Sequence, residues 1–138
     1  MAVPYLACMA LVAHIYALPP RVLPSVQAVE GGRPGSVVPN KDGSADLGVM
    51  QINTRWLPAL VAYSKLPDAV VRDRLINQPC FNIAAAGAIM RTYLNETHGD
   101  LMRAVGNYHS HTEPLNQSYR LLVLRAATMM FQSRAPRS

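Results

Sequence analysis

Glu30 is the residue of this chain best placed to do acid–base chemistry. It closes an apolar-periodic segment in which Val22, Val26 and Val29 recur at helical spacing. Gly31 and Gly32 follow at once, and glycine ends helices because it enters the left-handed turn without a Cβ clash. A carboxylate projecting from a helix end beside an apolar wall has its charged form disfavoured by burial. It therefore keeps a proton to give near neutral pH. On position alone, a solvated and inert helix-end carboxylate is the commoner case. A second block, Gly48-Val49-Met50-Gln51-Ile52-Asn53, stands beyond a polar loop. Its Met50 reads as core packing as readily as site lining, and Ile52 reads mostly as core.

The elements that must position these residues follow from hydrophobic period and breaker residues. Tyr5, Leu6, Met9, Val12, Ala13 and Tyr16 share one face of a first helix over residues 4–17. Leu18-Pro19-Pro20 interrupts it, and a second helix runs from about Pro20 to Glu30 with Pro24 in its first turn. Residues 31–47 are rich in Gly, Pro, Asn, Asp and Ser and show no helical period. So long a loop inside a compact domain is usually functional, and here it would wall the site. Val37-Val38 before Asn40-Lys41-Asp42-Gly43 predicts a short hairpin within it. Asn53 or Thr54 then caps a helix carrying Trp56, Leu57, Leu60 and Val61. Pro67 opens another, with Val70, Val71 and Leu75 inward, ending near Asn77-Gln78-Pro79. Phe81, Ala84, Ala85, Ala88, Ile89 and Thr92 form a stripe of mostly small residues that marks a central helix. Asp100 caps a helix with Leu101, Ala104, Val105 and Tyr108. The last starts around Asn116 and shows Tyr119, Leu122, Val123, Ala126 and Met130 on one face, so spacing alone slightly favours Tyr119 as core. The pattern is one mainly α domain over residues 1–132 with a flexible basic tail at 133–138. It shows no internal repeat.

Composition narrows the partners. The 138 residues suffice for one domain with its own core, and with 50% apolar and 15% charged residues the chain is ordinary globular material. The net charge is +5 and 11 of the 13 basic residues are Arg, which suits an anionic partner such as nucleic acid, an acidic membrane face or a cell-wall polymer. The basic residues are scattered and form no nucleic-acid motif, so nucleic acid is not expected. No apolar run approaches a membrane span, so stable membrane insertion is not expected either. Residues 1–18 resemble a signal-peptide core but lack a basic n-region. They read as the first helix of a mature domain, whose export would need an upstream leader absent from this sequence. Cys8 and Cys80 fall in the first helix and at the start of the central one, and an arbitrary pair of this kind is by default two buried thiols. His109-Ser110-His111, with His98 nearby, lacks a third ligand at suitable spacing, and no metal or other cofactor is expected.

Taken together, the motifs resemble the lysozyme-like lytic transglycosylase domain, the family-1 SLT type. The resemblance is closest to small members serving type III and type IV secretion, conjugation and type IV pili. Ala28-Val29-Glu30-Gly31-Gly32 matches the family's catalytic glutamate motif. The run from Asn40-Lys41-Asp42-Gly43-Ser44 to Gly48-Val49-Met50-Gln51-Ile52-Asn53 is similar to its long second block. Gln78-Pro79-Cys80 resembles the segment opening the central helix, and Ala104-Val105-Gly106-Asn107-Tyr108 the block whose tyrosine lines the cleft. Tyr119 falls where a second site tyrosine is expected. Two positions depart: Gly31 stands where many members have Ser, and His109 where the family usually has Asn.

The resemblance implies a mainly α, lysozyme-like fold and a single catalytic acid, Glu30. Met50, Gln51, Asn53, Tyr108 and Tyr119 would position the sugar or the glutamate by packing and hydrogen bonds. It implies cleavage of the bond between N-acetylmuramic acid and N-acetylglucosamine in peptidoglycan, with closure of a 1,6-anhydro ring and no water consumed. It also implies a periplasmic location and a Cys8–Cys80 disulfide, since specialised members carry cysteines at matching places. Two other readings stay open. A true lysozyme would draw its second carboxylate from Asp42 or Asp46, although turns also use Asp for capping. A non-catalytic glycan-binding subunit would keep the fold alone.

Overall fold

The computed structural model describes residues 4–132, so the expected tail at 133–138 lies outside the described residues. Among these, seven α-helices and one small antiparallel sheet form the molecule. Helix α1 spans Leu6–Ile15 and buries Met9, Val12 and Ala13. Leu6 belongs to the expected face but stays half exposed. Helix α2, Val22–Glu30, buries Val22 through Val26 and ends at Gly31, which takes the left-handed φ of 66°. The loop after it folds into strands β1, Val37–Pro39, and β2, Ala45–Leu47, in the expected hairpin. Val37 pairs with Leu47 and Pro39 with Ala45. Gly43, at φ 88°, and Asp42 make the turn, with Asp42 Oδ1 accepting from the Ser44 amide at 2.9 Å.

A third strand, β3, Ile52–Asn53, pairs with β2 and was not expected. Two residues carry no readable alternation, so its signal lies only in the pairing. Asn53 then caps a 3-10 turn, Thr54–Trp56, accepting from the Arg55 amide at 2.9 Å. Helices α3, Leu57–Ser64, and α4, Asp68–Asn77, follow.

Helix α5, Pro79–Glu96, is the centre of the packing and touches α1, α2, α4 and α6. Enclosed on several sides, it buries far more than one stripe: Asn82, Ile83, Ala86, Gly87, Met90, Tyr93 and Leu94 go inside as well as Ala85 and Ile89. Thr92 of the predicted stripe is exposed, and its hydroxyl donates to the Ala88 carbonyl at 3.0 Å. At Gly87 a Cβ would strike Val12 and Tyr16, which is how closely α1 crosses α5. The same crossing joins Cys8 to Cys80 in a disulfide, with Cα atoms 5.6 Å apart and a sequence separation of 72. Asp100 caps α6, Leu101–His109, as its position implied, accepting from the Arg103 amide at 3.1 Å. Helix α7, Glu113–Phe131, begins three residues before the expected start because Pro114 suits a first turn and Glu113 favours the positive helix end. Tyr119 and Val123 are buried on it, while Leu122 is half exposed. None of the described helices is long and apolar enough to cross a membrane.

Candidate active site

The two blocks singled out in the sequence meet through glycine. Gly31 N–H donates to the Gln27 carbonyl at 2.8 Å and turns the chain away from α2. A Cβ on Gly32 would run into the carbonyl oxygens of Gly48 and Val49, so the backbone after Glu30 lies flat against the second block. Gly48, at φ 67°, is packed as tightly on its other side against the Leu75 carbonyl and Asn82.

Asn82 of α5 holds that second block in place. Its Nδ2 donates to the carbonyls of Leu47 and Leu75, and its Oδ1 accepts from the Met50 amide, each at 2.8 Å. The Met50 carbonyl in turn accepts from the Tyr108 hydroxyl at 2.8 Å. Met50 is thus tied at both backbone ends, with its side chain fully buried. Gln51 takes a left-handed φ of 55°, and its Nε2 donates to the Gly48 carbonyl at 3.0 Å and the Ser36 hydroxyl at 3.2 Å. Asn53 Nδ2 donates to Ser44 Oγ at 3.0 Å and to Asp46 Oδ1 at 3.1 Å, which ties the hairpin to β3.

These elements enclose a cleft of about 770 Å³. Glu30, Asp46, Gln51 and Asn53 line it, facing Trp56, Tyr93, Tyr108, His109 and His111. Trp56 and Tyr93 meet edge to face at 5.8 Å, and Tyr93 and His111 at 5.4 Å. An aromatic wall opposite amides and carboxylates suits a ring with an apolar face and polar edges, such as a sugar. Met50 and Tyr119 do not line the cleft; they sit behind it.

Tyr119 reaches Glu30 across 89 residues of sequence, its hydroxyl donating to Oε2 at 2.6 Å. The other Glu30 oxygen makes no hydrogen bond among the described residues, and Glu30 itself lines the cleft. Burial raises the Glu30 carboxyl above its ordinary range. The Tyr119 hydrogen bond pulls it back in part, and the negative charge of Asp46 adds to the rise. Burial and the nearby Glu30 charge push the Tyr119 and Tyr108 phenols up as well, so both remain hydrogen-bond donors. Asp42, fully exposed, is held low by hydrogen bonds from Ser44, the side-chain one foremost.

A layer the sequence reading missed supports this site. His109 stacks flat on Tyr119, with centroids 4.9 Å apart and planes within 5°. Asn116, fully buried on α7, donates to Asn107 Oδ1 at 2.8 Å, and Asn107 donates to Glu96 Oε1 at 3.3 Å. Glu96 also meets His111 Nε2 at 2.6 Å. Asn82 breaks an apolar run with a short amide, and that was its available signal, whereas Asn116 stood only at the expected start of the last helix. No group of three metal-ligating side chains assembles among the described residues.

Residues 8–121 match the model of the transglycosylase SLT domain, and the chain belongs to that family. The chain is also 30% identical to the invasion protein IagB of Salmonella typhimurium over 88 residues, 64% of this chain and 51% of that protein. It thus spans about half the length of that relative. Protein IpgF of Shigella flexneri is 30% identical over 109 residues, covering 77% of this chain and 66% of its own. The Shigella sonnei IpgF is 29% identical over 125 residues, 86% of this chain and 77% of that one.

Proposed function

We propose that the protein is a peptidoglycan lytic transglycosylase with Glu30 as its single acid and base. The observation that carries the reading is the partly buried Glu30 carboxyl at the cleft, raised toward its protonated form and gripped on one oxygen by Tyr119. Glu30 gives its proton to the oxygen linking N-acetylmuramic acid to N-acetylglucosamine as the bond to the muramoyl anomeric carbon breaks. The substrate's own acetamido group assists departure. The muramoyl 6-hydroxyl oxygen then bonds to that carbon and returns its proton to Glu30. One bond breaks, one forms, and the enzyme ends as it began. Gln51, Asn53 and Tyr108 would orient the sugars, while Met50 and Tyr119 fix the loop and the acid behind them.

Membership of the SLT family and the aromatic–amide cleft support peptidoglycan as the substrate. A location outside the cytoplasmic membrane, in the periplasm, is supported by that substrate and by the disulfide, which persists in oxidising compartments. Similarity to a protein named for invasion supports local opening of the wall for a secretion, conjugation or pilus apparatus. The deciding experiment is mass spectrometry of fragments released from purified sacculi. Fragments with 1,6-anhydromuramic ends, lighter by one water than reducing ends, are expected.

Asp46 supports one competing reading, lysozyme-type hydrolysis. It lines the same cleft, and its charge acts on Glu30. Under hydrolysis the released fragments carry reducing ends and Asp46→Asn is dead. Under the proposed reaction that variant still turns over.

A further inference from the structure

The strength of the Tyr119–Glu30 hydrogen bond depends on where the phenol proton points. A phenol oxygen conjugates with its ring, so its O–H lies in the ring plane. Turning the ring about its long axis leaves the oxygen in place but swings the proton away from Glu30 Oε2. That torsion is broad and lacks steep wells, so a contact on the face of the ring has to hold it. At 2.6 Å the bond is short and of the charge-assisted kind, and such a bond weakens as it bends.

His109 supplies the contact. Its ring lies flat on that of Tyr119, with centroids 4.9 Å apart and planes 5° apart. Both rings stand on helices that are locked together one turn earlier. A Cβ on Gly106 would strike the Asn116 side chain, and these two residues precede His109 and Tyr119 in α6 and α7. Asn116 Nδ2 also donates to the Ser110 carbonyl at 3.2 Å, which pins the chain just past His109. The His109 ring nitrogens make no hydrogen bond or ion pair among the described residues, whereas His111 is bound to Glu96 at 2.6 Å. His109 is exposed and lines the cleft, while Tyr119 is buried behind it.

We propose that His109 is a positioning residue for the acid: by stacking on Tyr119 it sets the plane of the phenol and aims its proton at Glu30 Oε2. It acts through Tyr119 and transfers no proton itself. Its weight in turnover rests on the transglycosylase reading of Glu30, whereas the aim of the proton does not. His109 is also one of the two positions at which the chain departs from its family's pattern. An imidazole covers a ring face far more fully than the amide usual there, so the device belongs to this chain.

The Glu30 carboxyl is followed by carbon-13 NMR through a pH titration of the full chain, with Glu30→Gln assigning its signal and no substrate present. Tyr119→Phe should raise the Glu30 pKa, because the phenol hydrogen bond lowers it. His109→Ala is expected to raise it in the same direction and by less. His109→Phe, which keeps a flat ring and removes the nitrogens, is expected to leave it near the wild-type value. In the Tyr119→Phe background His109→Ala is expected to add nothing, since no proton is left to aim. Asp46 and Tyr108 also act on Glu30 through their charges or its own, and neither is altered in these variants. Release of fragments from sacculi should slow about two- to tenfold in His109→Ala, the weight of one aromatic pair. A Glu30 pKa that His109→Ala leaves unmoved would overturn the proposal. An equal shift in the Tyr119→Phe background would do the same, because the imidazole would then act on Glu30 without the phenol. A shift in His109→Phe as large as in His109→Ala would trace the effect to the nitrogens and not to the stack, and would also overturn it. Sacculi that yield no anhydro fragments, with the Glu30 shifts as expected, would sink the transglycosylase reading and leave the role of His109 standing.

Discussion

Glu30 is held between two opposing influences, and each can be removed separately. Burial and the Asp46 charge favour the neutral acid, while the Tyr119 hydroxyl favours the carboxylate. Tyr119→Phe therefore raises the Glu30 pKa further and should move the alkaline limb of the pH–rate profile upward. It should also slow turnover about ten- to a hundredfold, the weight of a hydrogen bond to a charged group. Asp46→Asn should move the same limb downward. Limbs that stay put in both variants would detach the observed pH dependence from Glu30. Glu30→Gln should abolish turnover, since general acid–base catalysis contributes about 100- to 10,000-fold and no other acid replaces it. It should also stabilise the fold near neutral pH. A carboxyl whose folded pKa lies above its unfolded one contributes stability fully below the unfolded value and loses it as pH rises through the folded value. Wild type and the Gln variant should therefore melt alike in acid and diverge toward neutrality, with Gln the higher. Thermal melts across that range test the sign. Stability given up at a working site is a common exchange.

At the scale of elements, the helices were largely legible because hydrophobic period, Pro and Asp caps survive into the structure. The hairpin was legible because Asp42-Gly43 favours a tight turn, as found. Strand β3 was not, since pairing with β2 and not its own pattern defines Ile52–Asn53. The burial of α5 was understated for a related reason. A stripe presumes one neighbour, and this helix has several. Gln51, Asn53 and Tyr108 could be placed at the cleft only through the family motif. Tyr119 could be named that way too, but its spacing gave no hint of the carboxylate it meets. Asn82 escaped because an amide inside an apolar run looks like a blemish. Here it joins α4, α5 and the second block by three hydrogen bonds to backbone groups. Asn82→Ala should cost about 3 kcal/mol by stranding those groups, as measured by urea denaturation. A loss below about 1 kcal/mol would mean that the loop holds itself. Activity should fall with it, because the Met50 amide loses its partner.

At the scale of the whole molecule, the disulfide closes a 72-residue separation that contains α2, the sheet and α4. In the chain-entropy model a bridge of that span is worth about 4 kcal/mol. Reduction, or Cys8→Ser, should lower the denaturation midpoint accordingly, and amides of α1 should then exchange first. Unchanged protection of α1 would assign its anchoring to packing alone. The Glu30–Tyr119 hydrogen bond has a different reach, from the end of α2 to the middle of α7. A ribosome that has just released α2 has already made the acid, but not the phenol that orients it. Until α7 emerges and docks, the nascent chain carries its glutamate without the grip of the finished cleft. The proposed acid thus gains the partner that orients it only once α7 has been made and has folded back onto α2.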